Sequence, residues 1–243
     1  MIDFYYAPTP NGWKVAIMLE ECEFAYNPIF VKLTDGDQFA PEFLNISPNA
    51  KMPAIVDHNP PTSYDGSVNV FESGAIMIYL AEKSGKFMPT SSILRKEALE
   101  WLFWQVGNQG PMGGQYSHFI NYAPQFKDKG YEYSSKRYKG EYERSLAVLN
   151  IRLEGRAYIL GGDYSIADMI SFPWAFIAKA MSIPLEDFPN VAAWRGRIKG
   201  RKAVQRAINL YKDQQNHGAN KATAATNKIL YNQSAAHFRT RKI

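Results

Sequence analysis

The first ninety residues alternate short apolar runs of strand length with segments of helical period, and from residue 93 onward no convincing strand returns. That switch confines the chain to a small αβ unit followed by an all-helical one. Ile2 to Tyr6 reads as a strand, and Val15, Ile17, Met18 and Leu19 give a helix over 12–23. Pro28 to Leu33 reads as a second strand and Pro41 to Leu44 as a short helical turn. Pro53 to Asp57 suits a buried strand; after a turn-bearing loop at 58–67, Val68 to Phe71 returns as its hairpin partner and Ser73 to Lys83 forms a helix. The order βαβα then ββα predicts a mixed four-stranded sheet with helices on its faces. Helical spacing then dominates Leu94 to Val106, Tyr133 to Leu153, Ile166 to Ala180, Val191 to Ile198 and Ala203 to Tyr211. Residues 107–130, rich in Gly, Pro, Gln and Asn, read as a broken helix or a cleft-lining loop. The expected organisation is a sheet-bearing domain over 1–85, a linker over 86–93, a helical domain over 94–212 and a polar, basic extension over 213–243 with little core of its own.

Composition narrows the function classes. With 46% apolar and 14% aromatic residues, 243 residues suffice for two well-packed domains. The net charge of +5 is mild, and Lys221, Lys228, Arg239, Arg241 and Lys242 place much of it in the tail. No nucleic-acid-binding motif appears, and neither a signal peptide nor an apolar stretch of membrane-spanning length is evident. The expectation is a soluble, cytoplasmic protein with no nucleic-acid partner, no membrane partner and no metal. The single cysteine, Cys22, excludes an internal disulfide or a Cys-x-x-Cys pair, and beside Leu19 and Phe24 it reads as a small buried apolar residue.

The turn Pro8-Thr-Pro-Asn-Gly-Trp-Lys14 links the first strand to the first helix. It has no cysteine but offers the Thr9 hydroxyl, the Asn11 amide and the unpaired N–H groups of a helix's first turn, donors that favour a thiolate brought by a ligand. Thr9 and Asn11 equally suit a plain turn and helix cap. Pro53, after Met52, is either a strand-edge proline or a cis-proline that exposes the preceding backbone to an extended peptide. Ser73 is a competent N-cap; with Glu72 beside it, the pair also suits the carboxylate and ammonium of a γ-glutamyl group. Gln38 and Lys51, in loops on the same side of the sheet, suit a second carboxylate. A peptide with a central thiol and charged ends, glutathione, fits this set.

Ala7-Pro-Thr-Pro-Asn-Gly12, Ile46-Ser-Pro-Asn49, Lys51-Met-Pro-Ala-Ile-Val-Asp-His58, Phe71-Glu-Ser-Gly-Ala-Ile76 and Glu100-Trp-Leu-Phe-Trp-Gln-Val-Gly107 together resemble the glutathione transferases. The resemblance covers about residues 1–212 and is nearest to the bacterial nu-class group related to the yeast nitrogen-regulation prion protein. Tyr164-Ser-Ile-Ala-Asp168 resembles the family's helix capping box, a folding device. The resemblance implies a thioredoxin-like domain with a mixed four-stranded sheet, a C-terminal helical bundle and a homodimer. It also implies glutathione as co-substrate, two per site or as glutathione disulfide. Carried over by position, Thr9 and Asn11 contact the glutathione sulfur, Gln38 the glycyl carboxylate, the Met52 backbone the cysteinyl amide, and Glu72 with Ser73 the γ-glutamyl end. Arg137 matches an arginine that reaches the neighbouring subunit's site, and otherwise reads as an exposed helix arginine.

The implied reaction is reduction of small disulfides without a protein cysteine. One alternative is conjugation or thioether-forming ether cleavage on an electrophilic aromatic substrate, with Trp104, Tyr116, His118, Phe119 and Trp174 as its pocket or simply as core. The other is a non-catalytic regulatory glutathione-binding protein, a reading disfavoured by the absence of a long Asn-rich amino-terminal extension.

Overall fold

In the computed structural model, which describes residues 1–122, 131–214 and 229–231, four strands form one sheet in the order β2-β1-β3-β4. β1 (Ile2–Tyr6) lies at its centre, parallel to β2 (Tyr26–Phe30) and antiparallel to β3 (Ala54–Asp57), which pairs antiparallel with β4 (Val68–Phe71). Alternation along β1 buries Ile2, Phe4 and Tyr6 against the helices and leaves Asp3 and Tyr5 half-buried on the other face. β2 begins at Tyr26, ahead of the expected Pro28, because its register with β1 pairs Ile2 with Tyr26 and Tyr6 with Phe30. Pro28 is tolerated within it because β2 is an edge strand.

α1 (Pro10–Glu21) is buried without interruption from Gly12 to Leu19. A helix buried over eight consecutive residues must be covered by neighbours on every side. It packs on α3 (Ser73–Ser84), and also on α7 (Ile166–Phe176) and α9 (Lys202–Asn209) of the helical half. A single core therefore runs through both halves, while Val31, Phe43 and Ala54 form a smaller cluster beside the short α2 (Pro41–Ile46).

The helical half opens with α4 (Ser92–Trp104), which continues through a π-helical turn at Gln105–Gln109 into α5 (Gly110–Asn121). The stretch expected to be a broken helix or loop is thus helical as far as residue 121, with a π turn as its irregularity; residues 123–130 lie outside the described residues. α6 (Tyr131–Arg152), α7, α8 (Pro189–Lys199) and α9 complete it. The helix expected over Ile166 to Ala180 ends at Phe176; a 3-10 turn, Ala178–Met181, follows, and Ser182 at φ 58° redirects the chain. The capping box at the start of α7 is present, with Ser165 and Asp168 satisfying each other's backbone N–H groups. Most of the 213–243 extension lies outside the described residues, but Tyr231 packs on His118 of α5 and on Tyr122, the residue that follows α5, at ring distances of 4.7 and 5.0 Å. No described helix is long and apolar enough to cross a membrane.

Candidate active site

The turn after β1 is shaped by sterics. A side chain at Gly12 would place its Cβ 2.3 Å from the Ala7 carbonyl oxygen and 2.8 Å from the Tyr6 ring, so only glycine lets α1 start this close to the strand. Thr9 is the N-cap, accepting from the Gly12 N–H at 3.3 Å, and Pro10 takes the first helical position, where its missing N–H costs nothing. The Thr9 hydroxyl proton is directed at the Met52 sulfur, 3.8 Å away, a weak acceptor. Asn11 stands in the first turn of α1, and its Oδ1 accepts from the Trp174 indole N–H at 3.0 Å. Its Nδ2 donates to no group among the described residues.

Asn11 lines a cleft of about 470 Å³ between the two halves of the molecule, within the usual size range of ligand sites. One wall comes from the sheet domain. It carries Lys51, Met52 and Pro53 with a cis Met52–Pro53 bond, and the Met52 backbone lies outside the ladder of β3. Glu72, at φ 70°, and Ser73 continue it. Positive φ at a non-glycine residue is a sparsely populated state that tends to cluster at ligand sites. Ser73 is the first residue of α3, not its N-cap; Glu72 holds the cap position and makes no side-chain cap bond. The Ser73 hydroxyl instead accepts from the Lys14 ammonium at 3.5 Å. The facing wall is Val106, Gly110, Pro111, Gly114, Gln115 and Trp174.

Lys14 was not singled out in the sequence, yet it is the most unusual group here. It is 2% exposed and lines the cleft. Burial pushes its pKa down to about 7, with Glu72 opposing the shift. The readable signal was a lysine three residues after Asn11, on the same helix face, inside a run of apolar residues.

Other expected residues fall elsewhere. Gln38 is buried, donates from Nε2 to the Leu33 carbonyl at 3.2 Å and does not line the cleft. Arg137 lies on α6, largely exposed and 3.8 Å from Glu141, away from this chain's cleft. Of the five aromatics considered for a second-substrate pocket, only Trp174 lines the cleft. Trp104 packs edge-on against Trp101, Tyr116 is a core residue bonded to the Met181 carbonyl, and His118 and Phe119 pack among tyrosines further along α5 and α6. The phenols before the turn are equally committed. Tyr6 is fully buried with its pKa raised by desolvation, and Tyr5 packs on Phe43. Cys22 caps the far end of α1, about 16 Å of helix rise from Asn11. There burial raises its thiol pKa and its proton is directed at Ser84.

Comparison with known proteins gives a consistent picture. Residues 2–82 match the glutathione S-transferase N-terminal domain family and residues 117–202 the C-terminal domain family. The disulfide-bond oxidoreductase YfcG of Escherichia coli (strain K12) is 48% identical over 210 residues, which are 86% of this chain and 94% of that protein. A glutathione transferase from Burkholderia graminis, solved with two glutathione molecules bound per subunit, superposes with a TM-score of 0.80 at 41% identity, covering 87% of this chain and 88% of that one. One from Pseudomonas putida, solved with one glutathione disulfide per subunit, gives 0.78 at 36% identity, covering 86% and 91%.

Proposed function

The chain belongs to the glutathione S-transferase family, and from that premise we propose that it is a glutathione-dependent disulfide-bond oxidoreductase needing no protein cysteine. The observation that carries this reading is the Asn11 amide, whose Nδ2 donors are left for the cleft at the N-terminus of α1. Donors and a positive helix end favour a thiolate over a thiol. The relatives solved with two glutathiones or with glutathione disulfide support two tripeptides in one cleft. In this reading glutathione is a substrate: its thiolate attacks a small disulfide and expels one product thiolate. A second glutathione thiolate then displaces the other, so two glutathiones and one disulfide become glutathione disulfide and two thiols.

The chain's own residues position and polarise. Asn11 holds the first sulfur, with Thr9 turning its hydroxyl from Met52 towards it, and the Met52 backbone pairs with the extended tripeptide. Glu72 takes the γ-glutamyl ammonium, Ser73 and Lys14 its carboxylate, and Lys51 a glycyl carboxylate. A glycyl contact through Gln38 would require its side chain to leave Leu33. Arg137 would serve the partner's cleft in a homodimer, an assembly supported by Ile93 and Phe103 of α4, which are 68% and 63% exposed. The glycine-bearing helical wall, with Trp174 as its only aromatic among the described residues, offers little to stack an aryl electrophile. Side-by-side assays with glutathione should show turnover of 2-hydroxyethyl disulfide well above that of 1-chloro-2,4-dinitrobenzene. The reverse ranking would make the protein a conjugating transferase.

Lys14 gives a second expected result. Its lowered pKa means that the unfolded chain binds more protons than the fold between about pH 7 and 10.5, so ligand-free stability rises with pH across that window. A carboxylate arriving beside it restores the charge. Binding of S-methylglutathione, which has no thiol to ionise, should therefore take up about one proton near pH 8. Calorimetry in buffers of different ionisation enthalpy measures that number, and Lys14→Met should abolish the uptake.

A further inference from the structure

We propose that Trp174 is a positioning residue that locks the Asn11 side chain so that only N–H donors, never its carbonyl oxygen, face the sulfur of the bound thiol. This deepens the reading above and rests on Asn11 facing that sulfur. An amide is nearly symmetric in shape but opposite in polarity, and an unrestrained asparagine can present either end to a ligand. Here chemistry settles the choice. The indole N–H is a donor and cannot accept, so the Asn11 atom 3.0 Å from it is the oxygen, and Nδ2 takes the remaining direction. Flipping the amide would set N–H against N–H and turn a lone pair towards an anionic sulfur.

The indole is held for this task. Trp174 is 6% exposed and lies against the glycines of α5. A Cβ at Gly113 would come within 2.7 Å of its six-membered ring, and one at Gly110 within 3.4 Å of Nε1. Gly114 lies over the ring's far edge, at 3.5 Å by the same measure. Glycines at i, i+3 and i+4 thus form a bed along one face of α5. The Trp174 carbonyl accepts from the Tyr142 hydroxyl, which ties α7 to α6 at this residue. The lock joins residues 163 positions apart and bridges the two halves of the molecule.

The test is the pKa of glutathione's thiol on the enzyme, followed by thiolate ultraviolet absorbance in saturating glutathione. Trp174→Phe keeps a ring in the glycine bed and removes the N–H. It should raise that pKa by about 0.4–1 unit, the equivalent of one neutral hydrogen bond, and by less than Asn11→Ala does. The charged groups lining the cleft, Lys14, Lys51 and Glu72, are unchanged in both variants and cancel in the comparison. In the Asn11→Ala background, Trp174→Phe should add nothing. If Trp174→Phe only lowers the melting temperature while Asn11→Ala moves the thiol, the indole merely packs and the proposal is overturned. If neither moves it, the reading of Asn11 itself fails and takes the proposal with it. Should the phenylalanine variant not fold, the benzothiophene analogue of tryptophan at position 174 removes the N–H without changing the shape, and the same shift is expected.

Discussion

Asn11→Ala slows disulfide reduction below the pKa of the bound thiol and accelerates it above. Losing one donor to a thiolate is equivalent to about 1.5–3 kcal/mol, which raises the thiol pKa by about 1–2 units. The less ionised thiol is intrinsically a better nucleophile, and a Brønsted coefficient of about 0.4–0.5 returns almost half of the loss. Turnover should therefore fall about 3- to 15-fold at low pH, and the two pH–rate profiles should cross as the variant's thiol ionises. If Asn11 does no more than shape the first turn of α1, the variant loses stability and its profile stays in place. Thr9 should behave differently because its oxygen already accepts from the Gly12 N–H. Its replacement by alanine costs cap stability as well as any contact to sulfur.

The largest loss of stability is expected at Asp168, far from the chemistry. Its fully buried carboxylate accepts from the Ile159 N–H at 2.9 Å, the Ser165 N–H at 3.0 Å, the Ser165 hydroxyl at 3.1 Å and the Trp194 indole at 2.8 Å. The box that caps α7 thus also fixes the loop before it and the middle of α8. Asp168→Ala strands these buried donors at once and should destabilise the fold by about 3–5 kcal/mol. For a chain of this size that lowers the melting temperature by roughly 6–20 °C. Asp168→Asn should recover only part, since its NH2 group faces donors. Thermal unfolding monitored by circular dichroism measures both, and a shift of only a degree or two for Asp168→Ala would mean that those donors find other partners.

What was legible in the sequence followed from periodicity and local chemistry. The short apolar runs at Ile2 to Tyr6 and Pro53 to Asp57 and the Ser165–Asp168 spacing read as two strands and a helix cap, and the structure adopts all three. The helical continuity through residues 105–121 was hidden because glycines lower local helix propensity, and it is tertiary packing against Trp174 and Tyr142 that holds them. Ser73 read as a cap because its residue type suits one; the strained Glu72 backbone, which no composition signals, moves it into the helix. Four of the five aromatics offered as a pocket lie away from the cleft for a similar reason. Whether Tyr116 or Trp174 faces a cleft depends on helix rotation about contacts made by distant segments. Lys14 shows the opposite case, a charge in an apolar helix that was visible and whose significance lay in burial.

The central claim is that the sulfurs that react all arrive with the substrates. The direct measurement is the steady-state rate of glutathione-dependent reduction of 2-hydroxyethyl disulfide by Cys22→Ser, a folded protein with no thiol of its own. The substitution keeps a hydroxyl within reach of Ser84, so the end of α1 should remain intact. The account predicts turnover indistinguishable from that of the unmodified protein. Loss of turnover in the folded variant would place a protein thiol in the reaction and contradict it.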